Sequence, residues 1–192
     1  SCGSGGFLLY ALNKVRNKAT ELYPQYKTDT RQYKHWFSYW HDFAEKNLYG
    51  IEISEQISRA AKMNMIIHDD GHTNVITSDG LISDESIIAK TNNHGFKYGT
   101  FDFIITNPPF GSTIRQSEQA YLKTYQLGKK EEDWLAIATR SQGTRDGQST
   151  EVLFIEQDYK FLKEGGYLAI VLPDGILTNS TMQYVRTQIE DW

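Results

Sequence analysis

The sequence predicts a doubly wound α/β fold. Three observations predict it. Apolar strand-like runs alternate with helical patterns along the chain. A glycine-rich loop opens directly into a helix. Acidic or amide residues recur where strands end, the place at which open α/β sheets hold ligands. The chain has 192 residues, enough for one domain with a full core. Apolar residues make up 39% and aromatics 13%, so it is globular rather than disordered. No apolar run reaches membrane-spanning length, and no secretory pattern opens the chain. The single cysteine, Cys2, excludes an internal disulfide and fits a cytoplasmic location. With a net charge of -4, nucleic-acid binding needs a local basic patch or a basic partner.

Ser1-Cys2-Gly3-Ser4-Gly5-Gly6-Phe7 reads as a phosphate or cofactor loop. Leu8, Leu9, Ala11, Leu12 and Val15 then form a helical apolar face. Such a loop normally follows a strand, so the sequence is expected to begin just after a first, central strand. Residues 20 to 47 are polar and aromatic. A helix from about Thr30 to Lys46 puts Trp36, Trp40 and Phe43 on one face, read as packing surface in preference to a stacking platform for nucleic acid. Leu48 to Ile53 reads as a strand. Glu52 at its end is placed to accept both hydroxyls of a ribose. Ser54 caps the next helix, with Ile57, Ala60, Ala61 and Met65 inward. His68-Asp69-Asp70-Gly71-His72 looks like a metal cluster, but it lacks an evident third ligand site and reads as a polar turn; no metal is expected. Asn74 to Thr77 is a short strand leading into Ser78-Asp79-Gly80-Leu81. Asp79 is a candidate acceptor for an adenine amino group of a cofactor.

The centre of the chain is Phe101 to Gly111. Phe101, Phe103, Ile104 and Ile105 form a strand, and Pro108 and Pro109 end it because they donate no backbone hydrogen bond. Asn107 therefore sits in a turn at the carboxyl end of a strand. Its amide oxygen and the Pro108 carbonyl can accept from one exocyclic amino group, and Phe110 can stack on a flat heterocycle. That is the chemistry needed to hold the amino group of an extruded base. Residues 111 to 150 are polar and resist assignment, a candidate closing loop or a plain excursion. Ser149 or Thr150 caps a helix with the face Val152, Ile155, Tyr159 and Leu162, which Gly165-Gly166 ends. Tyr167 to Leu172 reads as a buried parallel strand. Asn179 or Ser180 caps a last helix through Met182, Val185 and Ile189.

These residues resemble the adenine-N6 DNA methyltransferases, most of all the modification subunit of type I restriction-modification systems and its relatives in fused restriction enzymes. Cys2-Gly3-Ser4-Gly5-Gly6-Phe7-Leu8 resembles that family's cofactor loop, without the residues that usually precede it. Asn107-Pro108-Pro109-Phe110 resembles its catalytic tetrapeptide. Leu162 to Tyr167 and Leu172 to Leu177 are similar as well. The resemblance implies a Rossmann-like fold for S-adenosylmethionine-dependent methyltransferases, truncated at both ends, with residues 1 to 192 forming a partial catalytic domain. It implies a cofactor, S-adenosylmethionine, held by Cys2, Gly3, Ser4, Gly5, Gly6, Phe7, Glu52 and Asp79. It implies catalysis by Asn107, Pro108, Pro109 and Phe110 on N6 of adenine in double-stranded DNA. A specificity subunit is the implied partner, with a restriction subunit as a further candidate. An Asn-Pro-Pro-Phe turn alone also serves methyltransferases of RNA guanine amino groups, and its tyrosine version those of protein glutamine. An RNA or protein substrate therefore stays open, as does a non-catalytic methyltransferase-like subunit. A nicotinamide dehydrogenase would leave the tetrapeptide without a purpose.

Overall fold

The computed structural model describes residues 1–69, 74–115, 120–130 and 144–192. It divides into two compact units, Ser1–Lys97 and Tyr98–Trp192.

In the first unit, α1 (Gly6–Leu22) and α2 (Thr30–Asn47) pack beside β1 (Tyr49–Glu52), α3 (Glu55–Ile67), β2 (Asn74–Thr77) and α4 (Asp84–Thr91). Asp29 caps α2, its side chain accepting from the Arg31 and Gln32 amides. The apolar spacing of the helices meets in one core of Leu12, Ala19, Trp40, Ala44, Ala61, Met65 and Val75. Trp36 packs against that core and stacks on Tyr26, with ring centroids 4.4 Å apart. Trp40 is buried in that core, while Tyr33, Phe37 and Tyr39 of the same segment are exposed. Strands β1 and β2 pair in parallel, with Glu52 opposite Thr77. Ser54 caps α3 as expected. The inner face of α3 differs from the expected one: Ser58, Ala61 and Met65 are buried, while Ile57 is exposed. Small residues take the closest approach, and Ser58 is admitted because its hydroxyl bonds Thr77 Oγ1 at 2.9 Å.

In the second unit, β3 (Phe101–Thr106) pairs in parallel with β6 (Leu162–Ile170), while β4 (Thr113–Arg115) and β5 (Gly147–Ser149) form an antiparallel ribbon. A 3-10 turn (Ala120–Thr124), α5 (Thr150–Phe161), α6 (Asp174–Thr178) and α7 (Gln183–Asp191) complete it. Leu127, Val152, Ile155, Ile176 and Val185 form its core. Three expectations are corrected here. The helix from Thr150 stops at Phe161, and Gly165-Gly166 lie inside a register shift of β6 rather than ending a helix. Tyr159 and Tyr167 are exposed, at 40% and 69%. Asn179 and Ser180 precede α7 in a short 3-10 turn, and no side chain caps that helix. The described strands form three two-stranded sheets, two of them parallel, so the frame is mixed α/β. Among the described residues no helix is long and apolar enough to cross a membrane.

Candidate functional site

The glycine loop is tied to β1 at several points. The Cys2 amide donates to the Ile51 carbonyl at 2.8 Å, and the Gly3 amide donates to Glu52 Oε2 at 3.1 Å. The Gly5 amide turns back to the Cys2 carbonyl at 3.0 Å. Gly3 and Gly5 have φ of 54° and 86°, in the left-handed region where glycine fits without strain. Helix α1 begins at Gly6, so Gly6 and Phe7 belong to its first turn rather than to the loop. From the other side Asn64 of α3 donates its amide to the Ser4 carbonyl at 2.9 Å. Gly50 is what allows the loop to lie so close. A side chain there would meet Leu8 Cδ1 at 2.9 Å and Cys2 Sγ at 3.0 Å.

Glu52 is 5% exposed, and its other oxygen accepts the Ser54 amide at 3.1 Å. One carboxylate thus joins the loop, the end of β1 and the approach to α3. Each oxygen takes one amide and keeps a second lone pair. Beside it the Ser78 amide donates to the Glu52 carbonyl at 3.1 Å, so the pairing of β1 with β2 runs one residue past Thr77. Asp79 follows, its Oδ1 accepting the Leu81 amide at 2.9 Å in a tight turn. Cys2, Gly3, Ser4, Gly5, Glu52 and Asp79 therefore gather at the carboxyl ends of β1 and β2. Burial pushes the Cys2 thiol up to about 11, with the Glu52 charge adding to the effect. The thiol stays protonated near neutrality and is no nucleophile.

In the second unit β3 ends at Thr106, whose carbonyl accepts the Val171 amide at 3.1 Å. The chain then turns through Asn107-Pro108-Pro109-Phe110. Pro108 is buried, whereas Asn107 and Pro109 are exposed and Phe110 is 46% exposed. The Asn107 amide has no hydrogen bond among the described residues. Beyond the turn, the Thr150 amide and Oγ1 both donate to the Ser112 carbonyl, at 3.0 and 2.9 Å. The start of α5 thereby fixes where the turn leaves the strand. Neither Thr150 nor Asn64 stood out from sequence as a site support; Gly50, a glycine inside a strand, was the readable sign of a close backbone approach.

The cluster expected to be a turn begins at His68, whose ring is bonded to the Asn64 carbonyl at 2.7 Å, and Asp69 pairs with Arg16 at 3.7 Å. Asp70, Gly71 and His72 lie outside the described residues, as do Trp134, Leu135, Ile137 and Arg140. Among the described residues, His41, Asp42 and Glu45 lie close enough to hold a metal ion, but Asp42 already pairs with Lys46 at 3.5 Å.

The glycine loop is strapped to a strand-end carboxylate at the carboxyl edge of parallel strands in a mixed α/β frame. The chain belongs to the N-6 DNA methylase family, whose sequence profile matches residues 1–191. That family uses S-adenosylmethionine. The chain is 25% identical over 177 residues to the type II restriction enzyme and methyltransferase RM.BcgI of Heyndrickxia coagulans, covering 92% of this chain and 20% of that protein. It is 25% identical over 196 residues to the type I restriction enzyme EcoEI methylase subunit of Escherichia coli, covering 99% of this chain and 30% of that one. The chain thus spans less than a third of the length of either relative.

Proposed function

We propose that this chain is the catalytic part of a site-specific DNA methyltransferase that transfers a methyl group from S-adenosylmethionine to N6 of adenine, within a restriction-modification system. The observation that carries the reading is the turn after β3. Asn107 offers an exposed amide without a partner among the described residues, at a strand end, followed by two prolines and a half-exposed Phe110. The bound cofactor supplies an electrophilic methyl group on sulfur. The residues of the glycine loop fit it, because Gly3 presents open backbone and Glu52 retains acceptor capacity for ribose hydroxyls. Asp79 receives the cofactor's adenine amino group.

The Asn107 side-chain oxygen and the Pro108 carbonyl accept the two N6 protons of an extruded adenine, and Pro109 stiffens the turn that aims them. Accepting both protons would draw the nitrogen lone pair out of conjugation and make N6 the nucleophile; the cofactor would supply the methyl group, and the surplus proton would leave to solvent. Phe110 stacks on the base, an interaction of about 1–3 kcal/mol. No covalent enzyme intermediate is required, so catalysis is positioning and electrostatics. Double-stranded DNA and a specificity subunit are the partners this reading assigns, with a restriction subunit as a further candidate; the names of the relatives speak of a restriction enzyme and a methylase subunit.

The test is nucleoside mass analysis of unmethylated DNA after incubation with the intact protein, any recognition subunit it needs, and S-adenosylmethionine. N6-methyladenine is expected, and it should vanish in Asn107→Ala while cofactor binding persists. Cofactor binding without a modified DNA nucleoside would transfer the assignment to RNA or protein. Absence of cofactor binding would leave a non-catalytic subunit.

A further inference from the structure

Helix α5 is buried nearly all round, from Thr150 through Asp158 and again at Phe161. A helix so enclosed is ordinarily apolar. This one carries Glu151, Glu156, Gln157 and Asp158. Two of them have evident structural roles. Glu156 accepts the Gln126 and Leu127 amides at 2.9 and 2.8 Å and pairs with Lys160 at 2.8 Å. Gln157 accepts from the hydroxyls of Tyr125 and Tyr98 at 2.8 and 3.2 Å. Glu151 and Asp158 each keep one buried oxygen without a hydrogen-bond partner among the described residues, and Glu151 is the one in the first turn of the helix. It is 8% exposed, and its Oε2 is buried with no hydrogen-bond partner among the described residues. Leaving a buried polar atom unpaired is costly, and more so when it is charged. Such an atom calls for an explanation.

The place of Glu151 narrows the explanation. Its neighbour Thr150 donates twice to the Ser112 carbonyl, and Ser149 stands opposite Thr113 in the β4–β5 ribbon. The first turn of α5 is therefore stapled to the segment that leaves the Asn107–Phe110 turn, and Ser112 lies five residues after Asn107. Asn107 has the complementary deficit. A side-chain amide presents an acceptor oxygen and a two-proton donor, and turning it over exchanges them. For the oxygen to face a substrate amino group, the NH2 end must be held elsewhere. An ionised carboxylate accepts only, so it selects the NH2 end.

We propose that Glu151 is a positioning residue that accepts a hydrogen bond from Asn107 Nδ2 when the target base is bound, fixing the amide oxygen toward the acceptor nitrogen. The proposal rests on the functional reading above.

The test compares Glu151→Leu with Glu151→Gln in the intact protein, measuring kcat, cofactor KM and thermal midpoint. Leucine removes the acceptor and relieves the unpaired oxygen. The expected result is an unchanged or higher midpoint, an unchanged cofactor KM, and kcat lower by about ten- to a hundredfold. Glutamine keeps an acceptor oxygen and should recover most of kcat. A second arm repeats Glu151→Leu in Asn107→Asp, where there is no NH2 to hold; kcat there should not fall further. Full activity of Glu151→Leu overturns the proposal, as does an equal loss in both backgrounds. If the unaltered protein methylates adenine and Glu151→Leu does too, the proposal alone fails. If the unaltered protein makes no N6-methyladenine, the functional reading fails and the proposal falls with it.

Discussion

At Glu52 a single carboxylate does two structural jobs before any ligand arrives. Its oxygens hold the amides of Gly3 and Ser54, each at 3.1 Å. Hydrogen bonds to a charged acceptor contribute about 1.5–3 kcal/mol, more than neutral ones. Replacing it with glutamine leaves one oxygen for two amides and turns an NH2 against the other. Glu52→Gln should therefore loosen the loop and weaken S-adenosylmethionine binding by about ten- to a hundredfold, the affinity equivalent of one such bond. Glu52→Ala should weaken it further. Calorimetric titration of both variants checks this; affinity equal to that of the unaltered protein would remove Glu52 from the cofactor site. The residue was readable because a strand-end acid is a positional signal. That its lone pairs also serve the loop's own backbone was not, since Gly3 and Glu52 are 49 positions apart.

Among the elements, the strands and helices with clear periodicity were legible. The helix expected from Thr30 to Lys46 forms as Thr30–Asn47, and the strand expected over Leu48 to Ile53 forms as Tyr49–Glu52. Failures fall where tertiary contacts override local pattern. Helix α5 reads from sequence as amphipathic with Tyr159 inward, yet it is buried nearly all round and Tyr159 is the residue that faces out. Glu156 and Gln157 meet partners far along the chain, Leu127 and Tyr125 among them, and no local period reports that. The β4–β5 ribbon was invisible because three-residue strands carry no measurable alternation. Gly50 shows how one element serves another. Buried in β1, it leaves room for Cys2 and Leu8. Gly50→Ala forces a Cβ to within 3.2 Å of three of their side-chain atoms, so Leu8 and Cys2 must give way. The cost should be about 1–3 kcal/mol of stability, typical of overpacking, together with weaker cofactor binding. Denaturant titration and calorimetry together check it; a variant with unchanged stability and affinity would mean the loop does not depend on this contact.

For the molecule as a whole, pH should act through a group the chemistry does not use. Asp158 is 8% exposed, and its Oδ2 has no hydrogen-bond partner among the described residues. Burial pushes its carboxyl up from 3.8 to about 7, because the low-dielectric interior disfavours the charged form. The folded value lies above the unfolded one. Between those values the unfolded chain has released its proton while the folded chain retains it. The contribution to stability is therefore complete below about pH 4 and is lost as pH rises to about 7. Asp158→Asn keeps the shape and cannot ionise. Its stability should match that of the unaltered protein near pH 4 and exceed it above pH 7. The test is the difference between two denaturation series run from pH 4 to 8. A difference that grows with pH supports the assignment. Parallel curves, or a variant that loses ground at pH 8, would mean that Asp158 is ionised and paired in the folded protein.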